Sequence, residues 1–103
     1  MNPQTETELE AEVLRRLVKH FQQHPEVQNI ELMVLADFCR NCLAKWYVEA
    51  AKARGIELDY EQAREKIYGE PYSDWKDKHQ KPATPEQLAA FEARQQAKQA
   101  SKA

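Results

Sequence analysis

The sequence predicts an all-α protein, and three observations carry that prediction. Only two of the 103 residues are glycine. Alanine, leucine, glutamate, glutamine, lysine and arginine, all strong helix formers, dominate the rest. Apolar residues recur at steps of three and four between capping signals, the period of an amphipathic helix. At this length the chain is one domain with a modest core. The pattern describes a small irregular array of four to five helices built on one long central helix.

The elements follow in order. Thr7-Glu8-Leu9-Glu10 reads as a capping box, with Leu9, Val13, Leu17 and Phe21 at steps of four behind it, widened by Leu14 and Val18. Pro25 stops this helix near Gln23, because the residue before a proline is pushed out of the α region. The second helix opens near Asn29, a good N-cap, and runs to Gly55, which can take the left-handed conformation past a helix end. It is the long central helix, roughly 38 Å at 1.5 Å per residue. On its wheel Leu32, Leu35, Cys39, Cys42, Leu43, Trp46 and Ala50 share one inward arc, while Asp37, Arg40, Asn41 and Lys45 lie outside it. Asp59 caps a third helix, with Gln62 at the capping-box position, and Gly69 ends it. Pro71 and Ser73 start a short helical turn through Trp75. Thr84-Pro85-Glu86-Gln87 announces the last helix, with threonine at N-cap and proline at N1. Its apolar face is thin, and its tail from about Gln95 is expected to fray. Residues 1–80 are therefore expected to form the compact domain, and residues 81–103 a linker and a loosely docked helix.

Charge excludes some function classes. The net charge of -2 comes from 15 basic and 17 acidic residues with no block of either sign. That gives no electrostatic footprint for nucleic acid and no basic helix for a membrane surface. Met1-Asn2-Pro3-Gln4 lacks the basic start of a signal peptide, and no apolar run approaches the roughly 20 residues needed to span a bilayer. A cytoplasmic protein is expected, so a structural disulfide is not.

The two cysteines, Cys39 and Cys42, sit three apart. With His20 as third ligand they could hold zinc or iron, since thiolates and imidazoles are the ligands zinc takes. His24 would complete four ligands but falls about a turn and a half too low in a helical hairpin. The simpler reading buries both thiols on the apolar stripe. A thiol oxidoreductase is disfavoured, because Cys39 lies about ten residues into the long helix, far from the N-terminus that activates such thiols. No residue is assigned a catalytic role.

The aromatic run from Tyr68 to Trp75, with Trp46, Tyr47 and Tyr60, is either a recognition surface or a cap on the small core. The outward side of the signature helix (Arg40, Asn41, Tyr47), with Tyr72 and Trp75, is the candidate binding surface. The long helix and thin core also imply a homodimer.

The run Phe38-Cys39-Arg40-Asn41-Cys42-Leu43, followed by Lys45, Trp46 and Tyr47, resembles the signature of the bacterial family catalogued as domain of unknown function 1244. Arg15-Arg16-Leu17 with His20, Val27-Gln28-Asn29-Ile30 with Leu32 and Met33, and Tyr68-Gly69, Pro71-Tyr72 and Trp75 extend the likeness over about residues 10 to 80. The resemblance implies a small helical fold and no activity. A binding or interaction module is the leading expectation; a metal or thiol site at Cys39 and Cys42 is the alternative.

Overall fold

The computed structural model describes residues 1–102, and these form six α-helices with no strand among them. They are α1 (Pro3–Gln23), α2 (Asn29–Ala36), α3 (Arg40–Ala53), α4 (Tyr60–Tyr68), α5 (Tyr72–His79) and α6 (Pro85–Lys102).

The all-α expectation holds, but the long central helix does not. It is broken at Asp37, which takes the left-handed conformation (φ 55°, ψ 39°) as the C-cap of α2. Phe38 and an extended Cys39 follow, and α3 starts at Arg40. Aspartate is one of the few non-glycine residues that tolerates this conformation, so the break carries no glycine or proline to mark it.

Local signals set the other ends. Asn2, and not Thr7, caps α1: its Oδ1 accepts from the Thr5 amide at 2.7 Å, and Pro3 takes N1. Thr7 lies inside the helix and donates its hydroxyl to the Pro3 carbonyl at 3.0 Å. At α2 the Gln28 amide donates to Glu31 at 2.9 Å. At α4 the Asp59–Gln62 capping box is formed, and Gly69 closes the helix at φ 78°. Gly55 (φ 70°) follows the end of α3 in the left-handed region. Thr84 and Gln87 exchange both bonds of the last capping box, and α6 stays helical to Lys102.

The core lies where α3 crosses α4. Ala44 and Ala63 are fully buried there, their short side chains letting the backbones approach. Leu43, Ile67, Tyr68 and Trp75 surround them, with Val18, Phe21, Phe38 and Tyr72 packed on the outside. α4 also touches α1 and α5, while α6 lies along α2. The Lys98 ammonium reaches Asp37 at 3.1 Å, so α6 meets the chain break itself.

Candidate functional site

Ending α2 at Asp37 restarts the helical phase, so Arg40 lands where the continuous wheel did not place it, while Cys39 is buried as the wheel had it. Arg40 was expected to face outward; it is 1 % exposed. Its guanidinium donates to the carbonyls of Val27 (2.7 Å) and His24 (2.9 Å) and to Asn29 Oδ1 (3.0 Å). It also lies over the rings of Phe21 and Trp75, 5.3 and 5.0 Å from their centroids. No carboxylate pairs with it among the described residues. The His24 carbonyl at the C-terminal end of α1, where the helix dipole is negative, the Val27 carbonyl and two aromatic faces stand in for a counter-ion. Arg40 thus ties together the end of α1, the start of α2, and α5.

Asn29 continues the network. Its side-chain amide donates to the Tyr68 hydroxyl at 3.0 Å, and that hydroxyl donates to Asn41 Oδ1 at 2.7 Å. Burial, above all, pushes the Tyr68 phenol far above its ordinary range, against a smaller lowering by the Asn29 bond. Gln28, itself buried, donates to the carbonyls of Glu26 and His79 and accepts from the Lys81 amide. These partners satisfy the buried polar groups, as a low-dielectric interior requires.

Trp75 is 3 % exposed, so it caps the core and offers no free surface. Tyr72 stacks on it, carries the Arg64 guanidinium over its ring at 3.9 Å, and donates to Gln80 Oε1 at 2.8 Å. Asn41, Tyr72 and Trp75 border one polar hollow of about 330 Å³, together with Gln28, Asn29 and Lys81. Tyr47 faces a different hollow. The five residues expected to share a binding surface therefore divide between a buried network and two separate faces.

Cys39 is the N-cap of α3 and is buried, and Cys42, three residues on, is half-buried; both are free. The expectation that Cys39 sits mid-helix is corrected by the break at Asp37. Burial raises the Cys39 thiol, and the backbone amides of Cys42 and Asn41 lower it in part. His20 and His24 are exposed and lie against each other, ring centroids 4.6 Å apart, with His24 bonded to Glu26 at 3.0 Å. Among the described residues no three His, Cys, Asp or Glu side chains are grouped to hold a metal ion. His20 does not join the cysteines in such a group.

The larger feature was not read from the sequence. Leu9, Val13, Leu14 and Leu17 of α1 are between 40 and 69 % exposed, and none of that helix's residues is buried. Their stripe runs into a groove of about 760 Å³ bordered by Leu14, Leu17, Phe38, Trp46, Tyr47 and Ile56. Trp46, assigned to the inward arc, is 55 % exposed; its ring stacks on Phe38 at 5.6 Å and forms the wall of the groove. Leu35, on the same arc, is 79 % exposed. The stripe on α1 was legible as apolar; what covers it was not.

Six helices about a buried arginine network, with one apolar face left open, define a small all-α domain. The chain belongs to the family described as "Protein of unknown function (DUF1244)", whose model matches residues 27–93. That span takes in the whole Arg40–Asn29–Tyr68–Asn41 network and Trp75, and it runs further into α6 than the sequence motifs alone indicated. No curated protein matches the chain.

Proposed function

We propose that this protein is a cytoplasmic interaction module that acts as a homodimer, with the apolar face of α1 and α3 as the interface. One observation carries the proposal. The chain exposes 7767 Å², whereas a compact monomer of its length exposes about 6,000 Å². Its radius of gyration is 15.8 Å, against about 13 Å for a compact domain of this size. The surplus, on the order of 1,800 Å², is about twice the roughly 800 Å² that each partner contributes to a standard interface.

A second copy is the occupant that the charges of α1 favour. Glu6, Glu8, Glu10 and Glu12 fill its first half, and Arg15, Arg16, Lys19 and His20 its second. Two such helices laid antiparallel put each acidic half beside the other's basic half, whereas a parallel pair superposes like charges. About a two-fold axis at Val13, Leu9 comes level with Leu17 and Glu6 level with His20, so the face is self-complementary as an isologous contact requires. No helix of the described residues is long and apolar enough to cross a membrane.

Sedimentation equilibrium of the full chain tests the proposal. A dimer mass at tens of micromolar, reduced to a monomer mass in Leu17→Asp with helical circular dichroism retained, is the expected result. A monomer mass for the unaltered chain across that range overturns it.

A further inference from the structure

The break at Asp37 moves Cys39 and Cys42 from mid-helix to the N-cap and N3 positions of α3. Those two positions lie one turn apart at the start of the helix. Here the Cys39 carbonyl accepts from the Cys42 amide at 3.0 Å, closing the turn. This one-turn separation is the spacing at which the dithiols of Cys-x-x-Cys motifs pair. They differ in access: Cys39 is 7 % exposed, and Cys42 is half-buried.

We propose that Cys39 and Cys42 form a reversible dithiol–disulfide switch whose co-reactant is the disulfide of a small thiol. Cys42 is the entry point. Its thiolate attacks one sulfur of the small disulfide; that S–S bond breaks, and one small thiolate leaves and takes up a proton. A mixed disulfide remains on Cys42. Cys39 then gives up its proton, its sulfur attacks the Cys42 sulfur, and the second small thiolate leaves and is protonated. The balance is two protein thiols oxidised to one Cys39–Cys42 bond and one small disulfide reduced to two thiols. A reducing thiol in excess runs both steps backwards. Burial raises the Cys39 thiol, so at neutral pH it stays protonated and in reserve until the mixed disulfide forms beside it.

This inference is independent of the dimer, because it uses neither α1 nor the groove. Its test is incubation of the folded full-length chain with oxidised glutathione, followed by thiol titration, intact mass and peptide mapping. The expected result is loss of both thiols with helical circular dichroism unchanged, a Cys39–Cys42 bridge within one chain, and recovery of both thiols with dithiothreitol. In Cys39→Ser a single glutathione stays on Cys42; in Cys42→Ser the folded chain is left unmodified. Both thiols persisting in the folded chain, glutathione adding first at Cys39, or bridges only between chains overturns the proposal. If either variant fails to fold, the order of alkylation in the unaltered chain decides. Label on Cys42 before Cys39 supports the switch, and the reverse order contradicts it.

Discussion

Arg40 and Trp75 are both buried, with the guanidinium 5.0 Å from the centroid of the indole ring. They come from α3 and α5, and each would be costly to leave inside alone. The arginine's charge is answered by carbonyl oxygens and aromatic faces, and the indole is closed off from water by the arginine and by Tyr68 at 4.8 Å. This contact fixes how the first turn of α3 sits against the rest of the chain.

Arg40→Lys is accordingly not conservative. A lysine ammonium is a compact point charge that cannot reproduce the planar fork across Val27, Asn29 and His24, nor its stacking between two rings. The substitution is expected to cost about 3 kcal/mol, since hydrogen bonds to charged groups contribute roughly 1.5–3 kcal/mol each. Urea unfolding of the two proteins measures it. A loss under about 0.5 kcal/mol, the range of an ordinary surface substitution, would show that the network does not hold the fold together.

Tyr68→Phe removes one hydroxyl that serves two neighbours, Asn29 as acceptor and Asn41 as donor. Leaving buried polar groups unpaired is expected to cost about 1–3 kcal/mol at neutral pH. The same variant changes the response to alkali. Burial holds the Tyr68 phenol protonated in the folded chain. Its contribution is therefore complete below the ordinary tyrosine value of about 10 and declines as the pH rises above it, by up to about 1.4 kcal/mol per pH unit. Cys39 and Tyr60, also raised, add to the alkaline slope in both proteins. The prediction concerns the difference: stability measured from neutral pH to pH 11 falls less steeply in Tyr68→Phe. Equal slopes would contradict the burial of the phenol.

Gly69→Ala tests the end of α4. The position has φ 78°, and an added Cβ would meet the Gln22 side-chain amide at 3.1 Å. That amide donates to the Ile67 carbonyl and joins α1 to α4. The left-handed conformation alone costs a non-glycine residue about 1–2 kcal/mol, and the displaced amide adds to it. A loss of about 2 kcal/mol in thermal or urea unfolding is expected; an unchanged midpoint would rule out the close approach of Gln22.

How much of this was legible in the sequence depends on whether a local signal marked the feature. Pro25, Asp59, Gly69 and the Thr84-Pro85-Glu86-Gln87 start each act through their own backbone or their near neighbours, and the helix ends fall at those points. The break at Asp37 has no such mark. An apolar pattern in helical phase continues from Leu32 to Trp46, so a wheel drawn through it is self-consistent and wrong. From that one residue follow the larger errors: Arg40 turned outward, Cys39 placed mid-helix, and Trp46 placed in the core. Trp75 was read both as a cap on the core and as part of the binding surface; it is buried, but its arginine partner lies 35 positions away in the chain, and no spacing rule links the two. The α1 stripe was visible from Leu9 onward. Amphipathicity shows that a face seeks cover and is silent on whether the cover belongs to the same chain.

The central claim is that a second copy covers that face, antiparallel along α1. Val13 lies at its middle and is 69 % exposed, so it is free to change without disturbing the core. In an antiparallel pair Val13→Glu brings two carboxylates together at the two-fold axis, where like charges close together are costly. Sedimentation equilibrium of Val13→Glu at neutral pH, beside the unaltered chain and Val13→Gln, is the most direct measurement. The account predicts a dimer for the unaltered chain, a monomer for Val13→Glu, and a smaller loss of dimer for the uncharged Val13→Gln. A Val13→Glu chain that dimerises at neutral pH as tightly as the unaltered chain would contradict it.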